Sequence, residues 1–123
     1  MAWELKSDRP IYMQLLEHIK LDIISGKYLP GDKLPSVRDL AEEASVNPNT
    51  MQKALAELER LGLVYTQRTS GRFITEDVKM IKGIKESIAK EQIAEFFQSM
   101  KKLGFSTEET IQLIEKEGKE MSV

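Results

Sequence analysis

Apolar residues at Ile11, Leu15, Leu16, Ile19, Ile23 and Ile24 recur every three or four positions, the spacing of one helical face. Pro10 stands where a first turn tolerates a missing N–H, and Ser25-Gly26 ends the helix. Tyr28-Leu29-Pro30-Gly31-Asp32 is turn chemistry leading into Leu34-Pro35. A short second helix is expected from Ser36, where Ser36 with Asp39 three residues on resembles a capping box and Val37, Leu40, Ala41 and Ala44 share a face. After the tight connection Ser45-Val46-Asn47, Asn47 as N-cap and Pro48 at the first helical position open a third helix, which Gly62 stops.

Two β-prone runs come next, Leu63-Val64-Tyr65-Thr66 and Arg72-Phe73-Ile74-Thr75, with Arg68-Thr69-Ser70-Gly71 as a hairpin tip. Beyond them, Met80, Ile81, Ile84, Ile88, Ile93, Phe96, Phe97, Met100 and Leu103 mark a long amphipathic helix ended by Gly104. Ser106 and Glu109 form a capping box for a last helix carrying Ile111, Leu113 and Ile114. Three helices and a hairpin in this order predict a winged helix-turn-helix. The expected fold is mainly α with a small β-hairpin, with residues 1–75 as the DNA-binding domain and 76–123 as a two-helix dimerisation region.

In the third helix, Met51, Ala54, Leu55, Leu58 and Leu61 fall on one stripe, which is expected to pack inward. The opposite side collects Asn49, Gln52, Lys53 and Arg60, with the small Ala56 between them. A helix that enters the major groove needs base-reading side chains near its N-terminus, cations for phosphates and nothing bulky in the way. Asn47, Asn49, Thr50, Gln52 and Lys53 meet that need, and Asn47, Asn49 and Thr50 also sit where free helix amides favour an anion. Each has an ordinary structural reading too, Asn47 as a cap, Thr50 as a first-turn filler and the rest as a solvated face. The short helix before it favours DNA, because two helices joined by three residues place the second for the groove. Arg38, at the start of that short helix, would meet the phosphate backbone or be an ordinary solvated arginine, and Ser36 at the same helix start is counted with the DNA-binding residues. Arg68 and Arg72, flanking the tip, would meet the adjacent minor groove, or serve only to keep an edge hairpin soluble.

Composition removes most other chemistry. No Cys and a single His in 123 residues exclude thiolate metal sites and a cysteine nucleophile, so neither a metal nor a cofactor is expected. Ser99-Met-Lys-Lys matches Ser-x-x-Lys without the partner motifs of a hydrolase, and an enzyme is not expected. No apolar run approaches the roughly 20 residues of a bilayer span, nor does the start of the chain carry a secretory stretch, which points to a cytoplasmic protein with no membrane partner. The net charge is −2, with 10 basic and 10 acidic residues through Thr75 and 8 and 10 after it. Any DNA-binding face must therefore be locally basic.

The runs Pro-Gly-Asp-Lys-Leu-Pro-Ser-Val-Arg-Asp-Leu-Ala at 30–41 and Val-Asn-Pro-Asn-Thr-Met-Gln-Lys-Ala-Leu-Ala-Glu-Leu-Glu-Arg-Leu-Gly-Leu-Val at 46–64 resemble the GntR family of bacterial transcription regulators. The resemblance covers roughly residues 8 to 75. It implies a winged helix-turn-helix that binds double-stranded operator DNA as a homodimer, and a C-terminal part that defines the branch and often binds an effector. Only about 48 residues lie beyond the wing, which is similar to the small YtrA-type branch of local repressors, often of transporter operons. By motif position, Arg38 matches the family's DNA-contacting arginine, Asn47, Asn49 and Thr50 the polar start of the recognition helix, and Gly71 the wing glycine. Pro48 and Gln52 stand where other branches carry arginines, and Thr69-Ser70-Gly71-Arg72-Phe73-Ile74 replaces Gly-x-Gly-Thr-Phe-Val.

Two helices cannot enclose a ligand pocket, so an effector inside one C-terminal half is not expected, and its identity stays open. The stripe of Ile81, Ile84, Ile88, Ile93, Phe96, Phe97 and Met100 exceeds what the short last helix can cover, and a second copy is the expected cover, the alternative being that the stripe packs back on the chain's own winged domain. The competing function is a winged-helix protein–protein interaction module that does not bind DNA.

Overall fold

The computed structural model describes residues 3–122. Its helices are α1 (Ile11–Ile24), α2 (Val37–Ala44), α3 (Pro48–Arg60), α4 (Val78–Lys102) and α5 (Thr107–Met121), with strands β1 (Val64–Gln67) and β2 (Gly71–Ile74) between α3 and α4. The chain divides into two compact units, Met1–Lys85 and Glu86–Val123.

In the first unit, Leu15, Ile19 and Ile23 of α1, Leu40, Ala41 and Ala44 of α2, and Met51, Ala54, Leu55 and Leu58 of α3 form one core, closed by Leu34, Leu63, Val64 and Ile74. Burying each large side chain of this set contributes roughly 1.5–3 kcal/mol, which fixes the faces on which α2 and α3 meet. Leu61 does not join them. It is the C-cap residue of α3 and 41% exposed, at the end of the helix just before Gly62 turns the chain away. Gly62 then takes φ +83°, its N–H donates to the Glu59 carbonyl and that of Leu63 to the Leu58 carbonyl. This is a Schellman turn with Leu58 and Leu63 in contact with the same core.

The turn between α2 and α3 uses the same device with a less favourable residue. Ser45 sits at φ 59°, ψ 48°, and the Ser45 and Val46 amides donate to the Glu42 and Ala41 carbonyls. The left-handed conformation costs a non-glycine residue roughly 1–2 kcal/mol, yet it reverses the chain within three residues and drops Val46 onto the core.

The hairpin pairs Val64 with Ile74, Tyr65 with Phe73, Thr66 with Arg72 and Gln67 with Gly71. The segment before α2, expected to be turn only, adds a short third edge to it. Lys33 pairs with Phe73, the Leu34 N–H donates to the Arg72 carbonyl (2.9 Å) and the Ile74 N–H to the Asp32 carbonyl (2.8 Å). The wing is thereby fastened to the start of α2.

The segment before α1 is held by a buried polar side chain. Gln14 Oε1 accepts from the Lys6 N–H at 2.7 Å, and Gln14 Nε2 donates to the Lys6 and Arg9 carbonyls. All of its polar capacity facing the segment is thus satisfied, as burial requires. Met80, Ile81 and Ile84 from the start of α4 also pack against the first unit's core. Ile81 and Ile84, grouped by sequence with a single C-terminal stripe, therefore already have apolar partners in their own unit.

In the second unit the end of α4 and the whole of α5 are joined by Gly104. The Phe105 N–H donates to the Met100 carbonyl and that of Gly104 to Lys101, a further Schellman turn. Ser106 and Glu109 form the expected capping box, at 3.1 and 2.9 Å. Thr110, the next residue, is buried and donates its hydroxyl to the Ser106 carbonyl.

Candidate nucleic-acid interface

Ser36 caps α2 by accepting from the Asp39 N–H at 3.1 Å, so its hydroxyl fixes the helix start before it does anything else. Of the expected capping box only this half is made, because the Asp39 side chain is shorter than the Glu of that motif. Arg38, one residue into the helix, is exposed and belongs to none of the ion pairs among the described residues.

Asn47 caps α3 by accepting from the Asn49 N–H at 2.7 Å, and the Thr50 and Met51 amides both donate to the Asn47 carbonyl. The expectation that the first amides of α3 hold an anion is corrected here, since Asn47 occupies all three. What remains is side-chain chemistry. Asn49, Gln52, Lys53 and Ala56 are exposed, Thr50 is half-buried, and the core stripe lies on the other side of the helix.

Two cations of this face are engaged. The Lys53 ammonium lies 3.9 Å from the centroid of the Tyr12 ring on α1, within the range of a cation–π contact. Arg60 is paired with Glu57 on its own helix, Nη2 to Oε2 at 2.9 Å, and this hydrogen bond holds the Glu57 carboxyl below its ordinary pKa. The N-terminal turns of α3 thus present amides and one oriented ammonium, and the C-terminal turn presents a closed ion pair.

On the hairpin, Arg68 is exposed and in none of the described ion pairs, while Arg72 is half-buried. Gly71 takes φ +109°, and a Cβ there would lie 3.2 Å from Lys33 Cε. Only glycine provides both that conformation and room for the Lys33 stem. Neither Tyr12 nor Lys33 was singled out from the sequence. Tyr12 flanks the apolar stripe of α1, and the pairing of Lys33 with the hairpin has no short-range sequence pattern.

The candidate association surface lies apart in sequence. Ile93 and Phe96 of the second unit are 54% and 45% exposed, Phe96 meets Phe97 edge to face with centroids 6.0 Å apart, and Ile88, Phe97 and Met100 are half-buried. Open apolar grooves of about 520 and 280 Å³ run beside Phe96 and Ile114. No helix among the described residues is long and apolar enough to cross a membrane.

Comparison with known proteins agrees with this architecture. Residues 11–74 match the family described as "Bacterial regulatory proteins, gntR family". The chain is 40% identical over 109 residues to the uncharacterized HTH-type transcriptional regulator YhcF of Bacillus subtilis, covering 89% of this chain and 90% of that one. It is 44% identical over 90 residues to the HTH-type transcriptional repressor YtrA of the same organism, covering 72% and 68%. Among solved structures, a GntR family transcriptional regulator from Listeria monocytogenes superposes with a TM-score of 0.82 at 41% identity, over 91% of this chain and 98% of that one. AraR(DBD) in complex with operator ORX1 superposes with a TM-score of 0.54 at 32% identity, over 61% and 92%.

Proposed function

The chain belongs to the GntR family of bacterial DNA-binding transcription regulators, which are not enzymes, and from that premise we propose that it acts as a homodimeric repressor on an operator near its own gene. The observation that carries this reading is α3 itself. Its core stripe is buried, and its opposite side offers Asn49, Gln52 and Lys53 with the small Ala56 beside them. Amides read base edges, whereas cations hold phosphates and set the register on the duplex.

Within this reading, Asn49 and Gln52 take base edges and Lys53 is held by Tyr12 for the same groove. Asn47 and Ser36 set the two helix starts, Thr50 lies beside the groove face, and Arg38 takes a phosphate. Arg68 enters the neighbouring minor groove from the tip that Gly71 shapes. Repression is supported by the likeness to a protein called a transcriptional repressor.

The second copy is supported by the apolar surface of Ile88, Ile93, Phe96, Phe97 and Met100. Exposed apolar side chains grouped in this way mark interaction surfaces, and burying them against a second copy is a two-fold solution. Two recognition helices also reach half-sites about one DNA turn, 34–36 Å, apart. Residues 76–123 are accordingly assigned to association, although Ile81 and Ile84 are shared with the first unit's core.

The test is selection of duplexes from a random pool by the full chain, and then gel shift and sedimentation on the enriched sequence. A palindromic consensus bound by a dimer supports the reading. Failure to enrich any sequence would replace it with the protein–protein module.

A further inference from the structure

Resting on the reading of the first unit as a duplex-binding domain, we infer that the groove between the start of α2 and the hairpin seats the DNA sugar–phosphate backbone, with Lys33 and Arg72 as its phosphate contacts. The groove measures about 790 Å³, and its walls include Lys33, Ser36, Asp39, Arg68, Gly71 and Arg72. Three cations against one carboxylate make it locally basic on a chain of net charge −2.

Two further observations direct these cations at an anion. Arg72 Nε is buried and has no hydrogen-bond partner, although a buried donor on a charged group ordinarily finds one. With Nε closed to solvent, a phosphate in the groove is met by the terminal nitrogens of the same guanidinium. Lys33, in turn, is not a free surface lysine. Its backbone pairs with Phe73 and its stem crosses Gly71, so the ammonium is carried onto the hairpin.

Lys33 and Arg72 both line this groove. This moves Arg72 from the minor-groove contact expected of it to the backbone. Arg68, exposed at the tip, keeps the minor groove. It also makes Lys33, five residues before the helix residue Arg38, part of the DNA-binding surface.

The test measures binding of the full-length chain by fluorescence anisotropy across a salt series, on a duplex selected by the chain from a random pool and on a scrambled duplex of equal length. Lys33→Ala and Arg72→Gln are each expected to weaken binding to both duplexes by the same factor, roughly tenfold. Each should also lower the slope of log affinity against log salt by about 1, the loss of one phosphate contact. Arg72→Lys should keep the slope and recover only part of the affinity, because an ammonium lacks the planar fork of the guanidinium. Lys33 is exposed, so its alanine variant tests the inference even if Arg72 variants melt early. An unchanged slope for Lys33→Ala, or a loss confined to the selected duplex, would overturn the phosphate assignment while leaving DNA binding intact. A wild-type chain that binds neither duplex would overturn the DNA reading itself and this inference with it.

Discussion

The Lys53 ammonium rests 3.9 Å from the centroid of the Tyr12 ring, so a cation on the outward side of α3 is positioned by a residue of α1. Lysine carries large rotamer entropy, and a partner that fixes its head reduces what binding must freeze. An exposed contact of this kind contributes roughly 0.5–1 kcal/mol. Tyr12→Leu is therefore expected to weaken DNA affinity about two- to fivefold, and Tyr12→Phe, which keeps the ring, to leave it nearly unchanged. Equal affinities for the leucine and phenylalanine variants in an anisotropy titration would remove Tyr12 from the interface.

Ser45 holds a left-handed conformation at φ 59° to close the turn between α2 and α3. Glycine adopts it without the Cβ clash, at some cost in unfolded-chain entropy. Ser45→Gly should raise stability by up to about 1 kcal/mol, read as a higher urea midpoint at constant m-value. A lower midpoint would mean that the Ser45 side chain has a role the turn geometry does not reveal.

Glu109 is held below its ordinary pKa by the Ser106 backbone N–H, and next by the Ser106 side chain. A depressed folded-state value means that the cap's contribution is present above the unfolded glutamate pKa of about 4.3 and is lost as pH falls through the folded one. Glu109→Gln should therefore melt earlier than the native chain at pH 7, with the gap closing below about pH 4. The group is fully exposed, so the gap is small. A gap that stays constant from pH 7 to pH 3 would contradict the charged cap.

Phe96 stands 45% exposed beside an open apolar groove. Phe96→Asp puts a charge into the proposed two-fold contact, where a buried Phe contributes roughly 1.5–3 kcal/mol, and should leave a folded monomer at micromolar concentration. Sedimentation velocity checks the mass and circular dichroism the helix content. A dimer that survives this change would place the association surface elsewhere. If truncation is used instead, the cut belongs after Lys85 rather than Thr75, because Met80, Ile81 and Ile84 complete the first unit's core.

The legible part of the fold was local. Helix starts at Ser36, Asn47 and Ser106 and stops at Gly62 and Gly104 carry their own side-chain or backbone logic, and the structure places them there. The outward and inward sides of α3 came from periodicity, apart from Leu61, where the helix had already ended. What escaped was non-local. The pairing of Lys33 with Phe73 joins residues forty apart, and the Tyr12–Lys53 contact joins two helices at their edges. Ile81 and Ile84 looked continuous with Ile88 because a helical stripe does not reveal where one core ends and another surface begins.

The most direct test compares Arg38→Ala and Asn49→Ala in the full-length chain at one salt concentration, each measured on a selected duplex and on a scrambled one. Asn49→Ala should cost about 1–3 kcal/mol on the selected duplex and little on the scrambled one, so the specificity ratio falls. Arg38→Ala should weaken both alike and leave the ratio intact. An Asn49→Ala chain with an unchanged ratio would contradict base reading by the outward side of α3.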